Sequence, residues 1–364
     1  MSLPHILVIS NYSGSLNPIR PEAEIFIGLI HKGFKVTVMT EKTGHYFQEF
    51  EKLGATIIDH QPQRKIDGKA IRLIKTYCEN EGVDIVHAFN SKAISNACIA
   101  LFNSSIKIVG YRGYTGNIHW YDPTLYLTFL NPRLNYMICL ADSVRSMFLQ
   151  NGMSSKKAIT IHKGHKADWY SGIEKSKLME FNIPDGALVC AFVANFRTKM
   201  KGLADLINST QYISEDLNIR FLLIGEGMDT QEMKSLIANT SVPERFIFTG
   251  FRKDSTSLVK SSDIAISASL FGEATQKAMI EAMYLGKPVI ITDIPGNKGM
   301  VQDGLGGYVI PPSSPKLIAA AINKFFQNRD SIEMMGENAK THISAILSNE
   351  KTVMEYKNFY LSII

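Results

Sequence analysis

Residues 263–291 have the sequence DIAISASLFGEATQKAMIEAMYLGKPVII, which decides the fold of the second half of the chain. Its first residues alternate as a short buried strand does, and residues 275–285 favour a helix. Gly286 and Pro288 stop that helix before a β-branched run, so the stretch predicts a strand, a helix and a second strand. Glu273 lies in the loop before the helix, and Glu281 lies about two turns inside it.

The start of this helix is a candidate phosphate site. The first N–H groups of a helix have no partner within it, and the helix dipole adds positive potential there. Carboxylates beside a phosphate suit the hydroxyl-rich groups on either side of it, such as a ribose and a sugar. The two glutamates therefore indicate a nucleotide-sugar site. The alternative is that both are ordinary helix-favouring residues, since such a spacing often occurs by chance.

The length of 364 residues and the mass of 40.6 kDa fit two domains better than one core. A hydrophobic content of 45% with 20% charged residues is typical of a globular protein. We expect a cytoplasmic protein, because no apolar run reaches the roughly 18–20 residues of a membrane span and the N-terminus lacks the basic region of a signal peptide. The four scattered cysteines favour buried thiols in a reducing compartment.

The net charge of +5 at pH 7 is carried by residues 1–165. This distribution is compatible with peripheral binding to the anionic inner face of a membrane, and also with a few lysines that only aid solubility. We expect no nucleic-acid partner, because the chain has no basic helix, RNA-binding aromatic strand or zinc spacing. We expect no metal or other cofactor, because no His, Cys or carboxylate residues have the spacing of metal ligands.

Short apolar runs alternate with amphipathic helices along both halves of the chain, which is typical of parallel sheets buried on both faces. We predict an α/β fold of two doubly wound, Rossmann-like domains that face a cleft. The first domain is residues 1–165, the second is residues 170–346, and an apolar helix at residues 347–364 packs back on the first. Residues 163–173 form the predicted linker. Residues 112–135 form a long loop, rich in aromatic residues and glycine, whose rings suit sugars.

Ligands of such sheets bind beyond the carboxyl ends of the strands, where several loops have residues suited to a nucleotide. Arg197 and Lys201 follow the first strand of the second domain and can hold a diphosphate. Gly225 permits close approach of the backbone to a ligand, and Phe251 with Arg252 can hold a base. Each of these loops also has an ordinary explanation, as a solvated basic turn or a tight packing turn.

The first half has fewer candidate residues. Gly14 follows the first strand and is a weak signal for phosphate binding, with Arg20 nearby. His87 ends a strand and His119 lies in the aromatic loop, but a single histidine is more often structural than catalytic. The chain has no GxxxxGK[ST] or GxGxxG motif, so a nucleotide site here must neutralise its diphosphate with Lys, Arg and a helix end.

Several motifs together resemble glycosyltransferase family 4, whose members are retaining enzymes with the two-domain GT-B fold. The likeness covers nearly the whole chain and is strongest from about residue 190 to residue 312. It implies a donor-binding second domain, an acceptor-side first domain and retaining transfer without a metal. The matching segments are the run from Glu273 to Ile290, the segment Asp303–Pro312, Lys201-Gly202, the run Ile224–Gly227 and the run Asp84–Ala88.

The resemblance implies a role for each matching residue. Glu281 would hold the donor ribose, and Glu273 would hold a hydroxyl of the transferred sugar. Lys201 would bind the diphosphate and so stabilise the leaving group. The other phosphate ligands would be backbone N–H groups, those of Ala274, Thr275 and Gln276.

The chain departs from the family pattern at three places. Asn195 stands where the family often has an arginine, and Arg197 or Lys199 would supply that charge. Arg20-Pro21 replaces the family's double glycine, while Gly14 would lie near the donor phosphates. Arg112 replaces a histidine of the family's first domain. The acceptor-side candidates are Arg20, Arg112 and His119.

We therefore expect a glycosyltransferase of hexosyltransferase type with a nucleotide-sugar donor, UDP-sugar by default. Its acceptor would be a glycan or a lipid-linked glycan of surface polysaccharide synthesis. Two alternatives remain open. An epimerase of similar fold that acts on a UDP-sugar would need further acid and base carboxylates in the cleft. A non-catalytic nucleotide-sugar-binding partner subunit would explain Asn195, but it would not explain the presence of both glutamates.

Overall fold

Seven short apolar runs of the first half form one parallel sheet, in the strand order β3-β2-β1-β4-β5-β6-β7. The computed structural model describes residues 3–13 and 16–364, with only the backbone of residues 16–18. The interior strand β1 is buried along its whole length, because helices cover both faces of the sheet. The strands are β1 His5–Ile9, β2 Lys35–Thr40, β3 Thr56–Asp59, β4 Ile85–Ala88, β5 Lys107–Arg112, β6 Tyr136–Cys139 and β7 Ala158–Thr160.

The third helix of this half has a capping residue at each end. It begins after Asp67, whose carboxylate accepts the N–H groups of Lys69 and Ala70 at 3.1 Å each. It ends at Gly82, which has the left-handed conformation that favours glycine. The helices are α1 Leu16–His31, α2 Tyr46–Lys52, α3 Gly68–Glu81, α4 Ser91–Ala100 and α5 Asp142–Gln150.

The second half builds a six-stranded parallel sheet in the order β10-β9-β8-β11-β12-β13. Its core consists of apolar residues from the strands and from the helices that cover them, with Phe192, Phe221 and Phe325 among the largest. The strands are β8 Leu188–Val193, β9 Ile219–Ile224, β10 Phe246–Gly250, β11 Ile264–Ser267, β12 Val289–Thr292 and β13 Gly307–Ile310. The helices are α6 Asp168–Ser171, α7 Thr198–Lys201, α8 Leu203–Ser209, α9 Gln231–Ala238, α10 Ser255–Ser261, α11 Lys277–Tyr284, α12 Pro315–Gln327, α13 Ser331–Ile346 and, last in the chain, α14 Asn349–Ser362.

The chain divides into two compact units. The first unit is Met1–His165 with Leu347–Ile364, and the second unit is Lys166–Ile346. Helix α14 packs on α1 in the first unit, where a Cβ at Gly28 would lie 2.5 Å from the Val353 side chain. Within the ranges that the structure describes, no helix is both long enough and apolar enough to cross a bilayer.

The sequence patterns miss helix α13 and the edge strand β13. Gly336 lies in the middle of α13 and weakens its helical pattern, but a Cβ there would lie 2.0 Å from the Gly286 carbonyl oxygen. Packing against the chain after α11 therefore overrides the local propensity. Strand β13 pairs in parallel with β12 although it begins at Gly307, a residue type that is depleted in strands.

Two predicted helix starts are wrong. The amphipathic pattern predicts a helix over residues 22–32, but α1 begins at Leu16, so Pro21 lies inside the helix instead of before it. Helix α11 begins at Lys277 rather than at Thr275, because Gln276 takes an extended conformation and becomes the capping residue. The loop after β11 is consequently longer than the sequence indicates.

Candidate active site

The strand order of the second sheet reverses between β8 and β11, its two central strands. In doubly wound sheets, ligands bind in the crevice that such a reversal opens at the carboxyl ends of the strands. The loops that follow β8 and β11 border this crevice. Lys201 ends the short helix α7 that follows β8, Glu273 lies in the loop after β11, and the structure brings these two predicted residues together.

The Lys201 ammonium lies 2.5 Å from Glu273 Oε1. The two side chains are 21% and 10% exposed, so this ion pair is largely shielded from solvent. The Ser269 hydroxyl donates a hydrogen bond to the same carboxylate oxygen at 3.2 Å. A partly shielded ammonium group can bind an anionic ligand, and the Glu273 carboxylate holds this ammonium in position.

The conformation of Gly202 positions Lys201. Gly202 has φ of 69°, and a Cβ there would lie 2.0 Å from the Ala268 carbonyl oxygen. The Leu270 N–H also donates to the Met200 carbonyl oxygen at 2.8 Å. The backbone of the Lys-Gly turn therefore lies directly against the chain that leaves β11, which brings the lysine to Glu273.

We expect Gly202→Ala to lower the free energy of unfolding by about 2–4 kcal/mol, because the left-handed backbone and the close contact both disfavour a side chain. Gly186→Ala is the matched control, since Gly186 has φ of 71° but no neighbouring atom within 4 Å of the place that a Cβ would take. The control should lose only about 1–2 kcal/mol. Urea denaturation measures both, and equal losses would contradict a role for the close contact.

The loop after β12 supports Glu273 from the other side. A Cβ at Gly296 would lie 2.2 Å from the Glu273 carbonyl oxygen, so only glycine fits there. The Thr292 hydroxyl donates to the Ser269 carbonyl oxygen at 2.6 Å, and the Asn297 amide donates to the Thr292 carbonyl oxygen at 2.7 Å. Sequence reasoning missed these supporting residues, although Pro295-Gly296-Asn297 is a turn signal directly after a predicted strand.

Glu281 lies on α11 with its side chain 18% exposed. Its Oε1 is 3.1 Å from the Lys277 ammonium, one helical turn earlier. The two glutamates of the motif are therefore paired with different lysines. Glu273 pairs with Lys201, which is distant in sequence, and Glu281 pairs with Lys277 of its own helix. Both carboxylates are held in place and keep further acceptor capacity for ligand hydroxyl groups.

Gln276 is more than a backbone donor. It caps α11, and its carbonyl oxygen accepts the N–H groups of Met279 and Ile280 at 3.0 Å each. The side chain is 3% exposed, and in the described part of the chain its Nε2 has no hydrogen-bond partner. A buried unpaired amide is costly, so a ligand oxygen or a water molecule is expected to accept from it. The other predicted donors, Ala274 and Thr275, lie in the loop just before this cap.

Asn195, at the place where an arginine is expected, joins two loops at the same edge. Its Oδ1 accepts the Glu226 N–H at 2.9 Å, and the Phe196 N–H donates to the Glu226 carbonyl oxygen at 2.8 Å. Gly225 fits beneath this junction, since a Cβ there would lie 1.8 Å from the Ala194 carbonyl oxygen. The predicted close backbone approach at Gly225 is thus, in this structure, an approach to the neighbouring loop.

Of three further predicted residues in the second unit, two are exposed and one is paired with carboxylates. Arg197 is exposed, and Phe251 is 64% exposed at the end of β10. Arg252 instead donates to Glu180 and Asp254 at distances of 2.8–3.0 Å. Its guanidinium group holds the pKa of the Asp254 carboxyl well below the usual range. Arg252 therefore ties the β10 loop to the segment before β8, and base contact at this residue stays a prediction.

The acceptor-side candidates lie in the first unit. Arg112 is 5% exposed and donates to the carbonyl oxygens of Tyr114 and Gly116 at 3.2 and 2.8 Å, so it braces the aromatic loop. His119 is exposed and stacks on Tyr121 with ring centroids 5.2 Å apart. Arg20 is half-buried on α1. Gly14 lies outside the described residues.

His87 has a structural environment. It is fully buried, and its Nδ1 lies 2.5 Å from the Tyr360 hydroxyl of α14. Burial holds the pKa of His87 well below its usual range, so the ring is neutral. All four cysteines are buried thiols as well. Among residues 3–13 and 16–364, no three His, Cys, Asp or Glu side chains gather as metal ligands would.

Comparisons with known families and sequences indicate the class of protein. Residues 175–342 match the model of the family described as Glycosyl transferases group 1. A glycosyltransferase of Methanocaldococcus jannaschii, itself uncharacterized, is 28% identical over 247 residues. That alignment covers 66% of this chain and 62% of the relative, so this chain spans only part of the relative's length.

Solved structures with the same architecture cover the chain from end to end. A glycosyltransferase from Rickettsia africae has a TM-score of 0.81 at 19% identity and covers 100% of this chain and 99% of that one. HepE from Anabaena, solved in complex with UDP, has a TM-score of 0.74 at 19% identity. The match covers 98% of this chain and 100% of HepE. At these identities the likeness shows the fold, and the predicted two-sheet GT-B fold is confirmed. Together the comparisons support a glycosyltransferase.

Proposed function

We propose that this chain is a retaining, metal-independent hexosyltransferase of glycosyltransferase family 4. Its donor is a nucleotide sugar, with UDP as the nucleotide, and its acceptor is a glycan or a lipid-linked glycan of surface polysaccharide synthesis. The observation that carries the proposal is the contact between Lys201 and Glu273 at the reversal of the strand order, beside the start of α11. HepE, which shares the fold, has been solved with UDP and with UDP-glucose, which supports the choice of donor.

The charges at this edge suit the departure of a nucleoside diphosphate. The bond between the anomeric carbon of the sugar and the diphosphate oxygen breaks, and negative charge develops on that oxygen. Lys201 and the positive end of α11 stabilise this charge, and the Gln276 amide supplies a further donor. The acceptor hydroxyl forms the new bond on the same face of the sugar, and its proton passes to the departing diphosphate.

The two carboxylates act on the neutral parts of the donor. Glu281 accepts hydrogen bonds from the ribose hydroxyls, and Glu273 accepts one from the transferred sugar. Glu273 also holds the Lys201 ammonium, so the cation is positioned before the donor arrives. Such preorganisation avoids the cost of rearranging charges during the reaction. The protein works in the cytoplasm, where nucleotide sugars are available, with peripheral contact to the inner membrane face where the acceptor is lipid-linked.

A thermal-shift panel of UDP, GDP and ADP tests the donor. We expect UDP to raise the Tm most, because a ligand that binds only the native state stabilises it by mass action. At a concentration of about 100 Kd the gain is roughly 2.7 kcal/mol, which is several degrees for a protein of this size. The Lys201→Ala variant is the control and should lose most of the shift. A larger shift with GDP or ADP would overturn the assignment of UDP, and no shift with any of them would overturn the site.

A further inference from the structure

A pocket of about 610 Å³ lies in the first unit, beside the long loop between β5 and β6. It is located at the amino ends of β6 and β7, because Leu134 shortly precedes β6 and Lys157 directly precedes β7. Doubly wound sheets bind their reacting ligands at the opposite edge, beyond the carboxyl ends of the strands. This pocket is therefore separate from the edge at which catalysis is expected. Its polar and aromatic lining residues include Trp120, Tyr126, Asn131, Gln150, Ser154 and Lys157.

The loop presents an aromatic ring on a fixed backbone. The Trp120 N–H donates to Asn151 Oδ1 at 3.0 Å, and the Tyr126 hydroxyl donates to the Trp120 carbonyl oxygen at 2.8 Å. Trp120 as a whole residue remains 63% exposed, and Tyr126 is 46% exposed. Large exposed rings on a loop held by hydrogen bonds form a preorganised surface for stacking, which lowers the cost of binding a ligand.

The lining of the pocket suits an uncharged ligand. Lys157 is the one charged residue among those that line it, and its ammonium donates to the Leu134 carbonyl oxygen at 2.9 Å. The Asn151 amide already bonds the Trp120 N–H and the Met147 carbonyl oxygen. Asn131, Gln150 and Ser154 are amides and a hydroxyl with capacity to donate and accept further hydrogen bonds, as sugar hydroxyls do. A phosphate or a nucleotide is usually bound by several cationic groups or by a bidentate arginine, whereas this lining has a single lysine with one of its three N–H groups already used. A sugar ring offers an apolar C–H face to the indole ring and hydroxyl groups to the amides.

We propose that this pocket is a second, non-catalytic site that binds a neutral oligosaccharide through Trp120 and Tyr126. The site goes beyond the proposed transfer reaction, because it requires neither a donor nor any bond-making step. It would hold part of a glycan at the edge of the sheet that does not carry the reacting groups. Loss of sugar transfer and loss of this site are consequently separable by mutation.

Calorimetry with maltohexaose, cellohexaose and chitohexaose at millimolar concentration tests the proposal. We expect saturable binding of at least one of these saccharides to the full chain. Trp120→Ala should weaken that binding about tenfold or more, because the stacking surface is lost. Trp120→Phe should retain most of the affinity. Phe102→Ala is the matched control, since Phe102 is an aromatic residue, 71% exposed, that does not line the pocket.

A second readout locates the bound saccharide. The chain has two tryptophans, so a Trp169→Phe variant leaves Trp120 as the single fluorophore, and its emission should shift to shorter wavelength on binding. Lys201→Ala should retain saccharide binding in full, which separates this site from the proposed donor site. The proposal is overturned if none of the saccharides binds, or if Trp120→Ala and Phe102→Ala have the same affinity as the original chain.

Discussion

Lys201→Ala is expected to reduce the rate of sugar transfer by a factor of about 10²–10³, the usual effect of removing one group that stabilises developing negative charge. The ammonium is positioned by its 2.5 Å contact with Glu273 and is largely shielded from solvent, so water does not replace it well. Its removal also leaves the Glu273 carboxylate without its cation, beside the place where the diphosphate would bind. Steady-state turnover of UDP-sugar, as transfer or as donor hydrolysis, measures the effect.

Two controls accompany this measurement. Lys234→Ala removes an exposed lysine from another helix of the second unit, α9, and should change the rate by less than about twofold. The double variant Lys201→Met with Glu273→Gln removes both members of the ion pair and should fold as well as the original chain, since no buried charge is left alone. Turnover at the original rate in Lys201→Ala would refute the assignment of Lys201 to the leaving group.

Glu281→Ala is expected to lower kcat/KM for the donor by about a hundredfold. A carboxylate that accepts hydrogen bonds from two ribose hydroxyls contributes roughly 1.5–3 kcal/mol through each of them, although part of this is recovered by water in the variant. The side chain is 18% exposed and is held by Lys277 at 3.1 Å, so it is already ordered before a donor binds. Kinetics with a UDP-sugar at varied concentration measures the loss, which should appear mostly in KM.

A donor with a 2′-deoxyribose distinguishes a ribose contact from a structural effect. The original chain should discriminate strongly between this donor and the normal one, whereas Glu281→Ala should treat them alike. Glu337→Ala is the matched control, because Glu337 also pairs with a lysine of its own helix but is 67% exposed. If Glu281→Ala still discriminates between the two donors, its carboxylate does not contact the ribose.

Much of the fold was predictable from local patterns. Parallel strands such as β1 and β8 are short apolar runs that helices must cover on both faces, and their periodicity is visible in the sequence. The elements that escaped prediction have glycine at critical positions. Gly336 disfavours helix α13 locally, yet the helix forms because its missing side chain allows contact with Gly286.

The candidate site was predictable as a set of residues but not as a set of contacts. The motif around Glu273 and the Lys201-Gly202 pair are both visible in the sequence, but nothing in their spacing indicates that the two side chains form an ion pair. The same limit applies to Arg252, whose sequence context suits a ligand although its guanidinium group is paired with Glu180 and Asp254. Which ion pairs form between residues distant in sequence depends on how the loops pack against one another.

The sequence by itself determined the two doubly wound sheets, the strand edge that carries the candidate site and the residue types suited to a diphosphate and to sugar hydroxyls. These properties follow from the periodicity of apolar residues and from side-chain chemistry, which are local. Only the tertiary structure decided that Lys201 meets Glu273, that the Gln276 amide is buried without a partner among the described residues, and that the Trp120 loop borders a pocket. The physical reason is that close packing brings together loops remote in sequence, and glycines such as Gly202 and Gly296 allow contacts that a side chain would prevent.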